Sequence, residues 1–203
     1  MRRIPVIVAA GTGRKYAGGT SMQPDLNRFF DAACPALEPS AETAKQAQEE
    51  AEGGTPALQA QGYYVSIARR AASARRVPAA SLSVLVVEDD PAFSMLLKSL
   101  LGLQGFQVHT ATNRAGVLAG LTQTPPPDLV LLDVRLPDAN GFDILLRMKQ
   151  HPSLAAIPVI MLTGEATREA VTQGLAGGAD GYVTKPFELE SLVRAIRLVL
   201  GLS

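Results

Sequence analysis

Three carboxylates stand directly after runs of apolar residues, where a charge is costly unless it has a function. Glu88 and Asp89 follow one such run, and Asp133 follows another. A carboxylate that loses its water without gaining a partner is strongly unfavourable. Thr163 and Lys185 follow two further apolar runs in the same way. Side chains of these types, if they meet, suit phosphoryl chemistry assisted by a divalent cation.

A cluster of carboxylates attracts a cation. Two unit charges about 4 Å apart repel each other by about 4 kcal/mol at an effective dielectric constant of about 20. A few hard oxygen ligands, with room left for water, suit Mg²⁺. Lys185 and Thr163 are the donors that the oxygens of an added phosphoryl group would need. Asp133 is the predicted nucleophile, because a carboxylate can take up a phosphoryl group as an acyl phosphate.

The elements that must position these side chains alternate regularly after residue 82. Strand-like runs occur at 84–87, 107–110, 129–132, 158–162 and 181–184, and helix-length segments at 91–103, 113–122, 141–150, 167–176 and 187–200. This alternation predicts an α/β fold, with a parallel sheet covered by helices on both faces. Ligands of such sheets bind beyond the carboxyl ends of the strands. The polar residues above are therefore expected to gather at one edge.

Four segments of this region resemble the receiver domain of two-component response regulators. They are VLVVEDDP, DLVLLDVRLPDANGFD, PVIMLTGEA and GADGYVTKPF, and they occur in order at suitable spacings. The resemblance spans residues 83–202. It implies a flavodoxin-like fold of five strand–helix units, doubly wound, with strand order 2-1-3-4-5. We therefore predict a receiver domain at 83–203.

The resemblance also implies a role for each acidic residue. Glu88 and Asp89 match the acidic pair of the family, and Asp133 matches its phosphoacceptor. Arg135 occupies the position whose backbone carbonyl binds Mg²⁺, so the implied metal ligands are Glu88, Asp89, Asp133 and that carbonyl. Asp90 lies just beyond the pair and is not predicted as a ligand.

Further positions match residues that act after phosphorylation. Thr163 and Lys185 resemble the residues that contact the phosphoryl group, and Tyr182 resembles an aromatic residue that changes rotamer when Thr163 is drawn inward. Arg135 and Glu165 match positions that influence how fast the acyl phosphate hydrolyses. The resemblance thus implies a switch made of Thr163 and Tyr182.

Residues 1–82 are predicted to be a low-complexity, largely disordered extension. Leu, Ile, Val and Phe make up 13 of these 82 residues, which is below the roughly 20% typical of a packed core. Short helices are predicted at 25–34 and 41–52. The first has an apolar stripe with Phe29 and Phe30, and it can dock on a partner or fold onto the chain's own globular part. The second has no such stripe and is interpreted as a solvated spacer.

The segment 62–80 combines arginines with aromatic residues, a composition that can contact nucleic acid. Its two arginine pairs, at 69–70 and 75–76, do not share one face of a helix. A solubilising linker is therefore favoured over nucleic-acid binding.

The overall composition excludes other classes of protein. The chain of 203 residues has 19 basic and 19 acidic residues, so its net charge attracts neither nucleic acid nor an anionic membrane. No apolar run reaches the roughly 18 residues that span a bilayer. Cys34 is the single cysteine, which rules out an internal disulfide and favours a cytoplasmic location. His109 and His151 lack partners at metal-ligand spacing.

These observations predict a single-domain response regulator. It takes a phosphoryl group onto Asp133 from a histidine kinase or a histidine phosphotransfer protein, with Mg²⁺ as cofactor. It signals to a protein target through a face made of the fourth helix, the fifth strand and the fifth helix of the domain. It is expected to be a monomer or a weak dimer through that face. Phosphorylation and dephosphorylation are self-catalysed, so the chain is not predicted to be an enzyme.

Several alternatives stay open. The domain could be a phosphorelay intermediate or phosphate sink, the receiver fragment of a hybrid kinase, or a nucleic-acid-binding regulator that uses the arginine-rich segment. A Mg²⁺-dependent phosphate hydrolase is disfavoured. Such enzymes need a second carboxylate two residues after the nucleophile as acid and base, and this chain has Arg135 there.

Overall fold

The structure is a computed structural model that describes residues 29–30, 45, 63–64, 82–164 and 167–202. Its strands are β1 (Tyr63–Tyr64), β2 (Ser83–Val87), β3 (Gln107–Ala111), β4 (Leu129–Leu132), β5 (Val159–Thr163) and β6 (Gly181–Thr184). Its helices are α1 (Pro91–Leu103), α2 (Arg114–Leu121), α3 (Gly141–Gln150), α4 (Arg168–Ala176) and α5 (Leu189–Val199). The predicted elements of the domain therefore match the observed ones to within two residues.

The sheet has the strand order β1-β6-β5-β4-β2-β3. Strands β2 to β6 are parallel to their neighbours. Counted from β2 they have the order 2-1-3-4-5, which confirms the predicted flavodoxin-like fold. Strand β3 lies on one side of β2, and the chain then crosses over to form β4 on the other side. The end of β2 therefore lies beside the end of β4. This is the position where such sheets bind ligands.

Two hydrophobic clusters cover the two faces of the sheet, because successive strand residues point to opposite sides. Leu85 and Val87 of β2 belong to the cluster that includes residues of α2, α3 and α4. Val84 and Val86 belong to the cluster that includes residues of α1 and α5. All four residues of β4 are buried, as expected for a parallel strand with helices on both sides.

Side-chain caps fix where several helices begin. Asp90 accepts hydrogen bonds from the backbone N–H groups of Ala92 and Phe93 at the start of α1. Asn140 caps α3, and Thr167 caps α4, through comparable bonds. Each cap satisfies a donor that the helix itself leaves unpaired. The helices therefore begin on the side of the sheet where the strands end and the polar residues lie.

Parts of the extension contact the domain. Strand β1 pairs antiparallel with β6, with Tyr63 opposite Val183 and Tyr64 opposite Tyr182. The interpretation of this segment as a linker alone was wrong, because its first residues form the edge of the sheet.

The described positions of the two predicted helices differ in outcome. Phe29 and Phe30 form a turn and not a helix. Phe29 is buried in the domain's core, so these two residues fold onto the chain's own globular part. Lys45 is helical, as predicted for 41–52. The rest of both segments, and the arginines of 69–76, lie outside the described residues. Within the described part of the chain, no helix is long and apolar enough to cross a bilayer.

Candidate functional site

Three carboxylates meet at the carboxyl ends of β2 and β4. Glu88 and Asp89 follow β2, and Asp133 follows β4, whose last residue pairs with the last residue of β2. The N–H of Asp133 donates to the carbonyl of Val87 over 3.0 Å, which extends the ladder by one step. Ligand atoms of the three carboxylates all lie within 4.8 Å of one another. Glu88 is 2% exposed and Asp133 6%, whereas Asp89 is exposed.

Lys185 bridges the two buried carboxylates. Its Nζ lies 2.6 Å from Oε2 of Glu88 and 2.6 Å from Oδ2 of Asp133. Its backbone N–H donates to the carbonyl of Thr163 over 2.7 Å, so the segment after β6 is held against the end of β5. Charge-assisted hydrogen bonds of this length are strong. One ammonium group thus offsets part of the charge that the cluster carries.

The electrostatics of the site follow from burial and this bridge. Burial raises the pKa of Glu88 above its usual 4.5, because the loss of water outweighs the hydrogen bond and the attraction from Lys185. Burial acts to lower the pKa of Lys185, but its hydrogen bonds to Asp133 and Glu88 outweigh that effect and raise it above the usual 10.5. Lys185 is therefore charged at neutral pH. A cation bound at the cluster would stabilise the ionised form of Glu88.

The donor set fits a small hard cation. Oxygen ligands from Glu88, Asp89 and Asp133 converge within 4.8 Å, and the exposed Asp89 leaves one side of the cluster open to solvent. Mg²⁺ prefers such sites, because it binds through a few carboxylates and retains several waters. Arg135 is exposed beside the cluster, and its backbone N–H donates to Oδ1 of Asp133 over 3.2 Å. The metal-binding role of its carbonyl stays a prediction.

The predicted switch residues lie behind the cluster. Thr163 ends β5, Tyr182 lies in β6, and both are fully buried at 0% exposed. The ring of Tyr182 packs against α4, where a Cβ added at Gly174 would lie 2.8 Å from it. Glu165, the other residue assigned to phosphate lifetime, lies outside the described residues. The end of β5 is thus connected through the pairing with β6 and the ring of Tyr182 to α4. The role of Glu165 stays a prediction.

Residues 84–197, more than half of the chain, match the family described as response regulator receiver domain. The chain belongs to this family. It is 36% identical over 127 residues to the probable transcriptional regulatory protein TcrX of Mycobacterium tuberculosis, an alignment that covers 62% of this chain and 53% of TcrX. The chain spans about half the length of the curated relatives that it matches first.

Solved receiver structures have the same fold. A putative response regulator from Chloroflexus aurantiacus matches with a TM-score of 0.55 and 31% identity, over 59% of this chain and 97% of its own. The chemotaxis protein CheY4 of Vibrio cholerae matches with a TM-score of 0.54 and 30% identity, over 58% of this chain and 98% of its own. Members of the family thus include both transcriptional regulators and a chemotaxis protein. The acidic pocket of receiver domains generally binds Mg²⁺, and the cluster described above is such a pocket.

Three features of this receiver domain escaped the sequence analysis. The ring of Phe93 lies 4.8 Å from Nζ of Lys185 and borders the site as a cation–π partner. Asp90 caps α1 and so fixes the helix that follows the acidic pair. At Gly141, a Cβ would overlap the carbonyl of Asp133, so α3 can start only with glycine there. The motif Asp-Pro after the acidic pair was a signal for the cap, whereas the contacts of Phe93 and Gly141 depend on tertiary packing.

Proposed function

We propose that this chain takes a phosphoryl group onto Asp133 and signals through the resulting change of shape. The observation that carries the proposal is the bridge at the sheet edge, where one lysine contacts two buried carboxylates at 2.6 Å each. Such a concentration of buried charge is a poor way to stabilise a fold. It suits a site whose charge changes in use.

The chain's own residues would perform the transfer. A carboxylate oxygen of Asp133 forms a bond to phosphorus as the N–P bond of a phosphohistidine breaks, and the donor's imidazole nitrogen keeps the electron pair and takes up a proton. Lys185 then pairs with a phosphoryl oxygen in place of Oδ2 of Asp133, and the Thr163 hydroxyl donates to another. Glu88, Asp89, Asp133 and the carbonyl of Arg135 would hold Mg²⁺, which when bound offsets the negative charge of the phosphoryl oxygens.

Phosphorylation would reach the surface through the buried pair Thr163 and Tyr182. Drawing Thr163 toward the phosphoryl group changes the packing around Tyr182, whose ring abuts α4. Because buried side chains are close-packed, a small shift at one requires a rearrangement at the next. The face made of α4, β6 and α5 is the proposed output surface, with a monomer or a weak dimer through that face as the active species.

The proposed phosphodonor is a histidine kinase or a histidine phosphotransfer protein, and α1 offers it a surface. Met95 and Leu96 are 58% and 51% exposed, and Leu103 is 83% exposed. Helix α1 begins directly after the acidic pair, so a partner docked on these residues would bring its histidine close to Asp133. Exposed apolar residues grouped on one helix favour a protein partner.

Two assignments divide the proposed function. A stand-alone receiver is supported by the similarity to the chemotaxis protein CheY4 of Vibrio cholerae. A receiver that belongs to a DNA-binding regulator is supported by the similarity to TcrX, of which the chain covers 53%. We propose the stand-alone function and treat the second as the competing one. A phosphorelay intermediate or phosphate sink uses the same site.

A nucleic-acid-binding regulator that uses the arginine-rich segment 62–80 is a third assignment, and it has a test of its own. Salt-sensitive binding to bulk DNA that disappears when this segment is deleted would favour this third assignment. Binding of a protein target by the phosphorylated chain, with no retention on DNA, would favour the stand-alone receiver. A cytoplasmic location stays a prediction from the cysteine content.

A mass measurement tests the phosphoacceptor. The full chain is incubated with Mg²⁺ and acetyl phosphate, and we expect an adduct of about 80 Da, one phosphoryl group, that maps to Asp133. Asp133→Asn should carry no adduct. Asp143→Asn, at an exposed position in the first turn of α3, is the matched control and should be modified like the wild type. An adduct that persists in Asp133→Asn, or no adduct in the wild type, would reject the proposal.

The lifetime of the adduct tests the neighbouring residues. We propose that the side chains of Arg135 and Glu165 form an ion pair across the opening of the site and so hinder the attack of water on the acyl phosphate. The double variant Arg135→Ala/Glu165→Ala should therefore lose the phosphoryl group faster than the wild type after the donor is removed. An unchanged decay rate would show that these residues do not control hydrolysis.

A further inference from the structure

Two residues of the N-terminal extension are packed into the domain. Phe29 is 7% exposed and belongs to the hydrophobic cluster that includes Val117 and Leu121 of α2 and Leu145 and Met148 of α3. Phe30 is partly buried against the same cluster. The two rings meet edge to face with centroids 4.9 Å apart, a favoured arrangement for aromatic pairs.

Two arginines hold the backbone of this aromatic pair. Arg147, in the last turn of α3, donates through Nη1 to the carbonyl of Phe29 over 2.7 Å. Arg114, the first residue of α2, donates through Nη2 to the carbonyl of Phe30 over 3.2 Å. The guanidinium of Arg114 also lies 4.4 Å from the centroid of the Phe30 ring, and the ring of His151 lies 6.4 Å from that of Phe29. Side chains and backbone carbonyls are thus bound together, as in peptide recognition.

Related receiver domains complete their fold without such a pair. The Chloroflexus receiver is matched over 97% of its own length by 59% of this chain, a share about as long as the domain at 82–202. Related receivers therefore fold without a segment equivalent to Phe29 and Phe30. The pair is then better described as a ligand of the domain than as part of its obligatory core.

We infer that the groove between the first residue of α2 and the last turn of α3, bordered by Arg114 and Arg147, is a binding site for a diaromatic segment. Its occupant is the chain's own Phe29–Phe30, which anchors the extension to the domain. The groove recognises two adjacent aromatic rings and the backbone carbonyls of the same two residues.

The anchor is connected to the loop that follows Asp133. The backbone N–H of Arg114 donates to both carboxylate oxygens of Asp138, over 3.0 and 3.2 Å. Leu136 and Ala139 of the same loop pack against the cluster that contains Phe29. Occupancy of the groove therefore braces α2, α3 and this loop together. Release of the pair should loosen all three without changing the residues of the site.

A peptide that competes with the anchor tests the inference. The peptide PDLNRFFDAA, residues 24–33, is titrated into the full chain and into the full-length variant Phe29→Ala/Phe30→Ala. A tethered segment has an effective concentration of about 1 mM, so an anchor that is mostly bound implies a peptide Kd of about 0.1 mM or lower. We expect the variant to bind the peptide, and the wild type to bind it at least tenfold more weakly, because its groove is filled.

Matched changes assign the binding to the groove. The peptide with both phenylalanines replaced by alanine should not bind the double variant. Adding Arg147→Gln to the double variant should weaken binding of the original peptide, because one carbonyl loses its donor. Adding Lys98→Ala, at an exposed position on α1, to the double variant should leave peptide binding unchanged.

Amide hydrogen exchange gives a second, independent measurement. In the double variant, exchange should quicken across 114–121 and 141–151, and saturating peptide should restore the protection. Peptide binding that is equal in the wild type and the variant, or absent in the variant, would overturn the inference. So would unchanged exchange in both helices, or a concentration-dependent dimer of the wild type that exchanges Phe29–Phe30 between copies.

Discussion

Replacing Lys185 by methionine tests the electrostatic account of the site most directly. Methionine keeps most of the length and apolar surface of the side chain but removes its charge. Glu88 and Asp133 would then lie side by side, both buried, without the ammonium group that now contacts each at 2.6 Å. In a metal-free buffer, we expect a clear loss of stability.

The size of the loss follows from the geometry. Each contact has a gross Coulomb attraction of about 6 kcal/mol at an effective dielectric constant of about 20. Desolvation of the charges cancels much of this, and removal of one partner from a buried ion pair typically costs about 3–5 kcal/mol. The Lys185 side chain is 24% exposed, so we expect about 2–4 kcal/mol. For a domain of this size, that lowers Tm by about 5–15 °C.

Magnesium should reverse much of this loss, because the variant leaves two buried carboxylates without the ammonium group that bridges them. A ligand present at about 100 times its Kd stabilises the folded state by about 2.7 kcal/mol. Unfolding is therefore measured by urea titration in EDTA and in Mg²⁺. The gain in free energy of unfolding on adding Mg²⁺ should be larger for Lys185→Met than for the wild type.

Lys149 provides a matched control elsewhere in the domain. Its Nζ lies 2.9 Å from Oδ2 of Asp180 and 2.9 Å from the carbonyl of Ile157, and its side chain is 17% exposed. Lys149→Met should also be destabilised, but to the same extent with and without Mg²⁺. If Lys185→Met is as stable as the wild type in EDTA, or responds to Mg²⁺ no more than Lys149→Met does, the reasoning about the charge cluster is wrong.

Three further predictions concern pH, the switch and the sheet edge. Because the pKa of Glu88 is raised in the fold, its contribution to stability is full below about its unfolded pKa of 4.5 and is lost as pH rises through the folded pKa. Glu88→Gln should therefore flatten that part of the plot of unfolding free energy against pH in metal-free buffer. An unaltered plot would exclude burial of Glu88 as the cause of the pH dependence. Gly174→Ala places a Cβ 2.8 Å from the Tyr182 ring and should lower the free energy of unfolding, measured in urea, by about 1–3 kcal/mol. Gly102→Ala, with open space around the added Cβ, should leave this free energy unchanged or raise it slightly. Equal effects of the two substitutions would count against tight packing at the switch. Proline at both positions of Tyr63–Tyr64 removes the N–H groups that β1 offers to β6, so sedimentation should show more self-association through the uncovered edge of the sheet. Alanine at both positions keeps the N–H groups and should not increase self-association. Identical sedimentation of the two variants would contradict the pairing.

Most of the domain could be predicted from the sequence because each of its elements has a local signal. The run of Leu129 to Leu132 is apolar at every position and has the length of a strand, and such strands occur where helices cover both faces of a parallel sheet. The caps of the helices are likewise local, since Asp90 and Asn140 reach backbone groups two or three residues away. Strand order could then be inferred, because few topologies connect parallel strands by crossover helices.

The candidate site could be predicted for the same reason, but only in part. Residues that follow parallel strands meet at one edge whatever their separation in the sequence, so Glu88, Asp133 and Lys185 could be brought together without a structure. What could not be inferred is the present partner of each group. That one lysine contacts both buried carboxylates follows from the path of the segment after β6, which no periodicity describes.

The contacts of the extension show where such reasoning ends. The stripe containing Phe29 and Phe30 indicated a docking segment, but a stripe specifies only that apolar side chains are buried, and the receiving surface is formed by α2 and α3 far along the chain. Strand β1 is two residues long, too short for any alternation to be detectable. Its pairing depends on a free edge of β6, a property of the assembled sheet and not of either segment. Tyr64 therefore lies opposite Tyr182, a residue of the proposed switch, through a contact that only the tertiary structure creates, and a rearrangement at Tyr182 has to be accommodated by β1 or to release it.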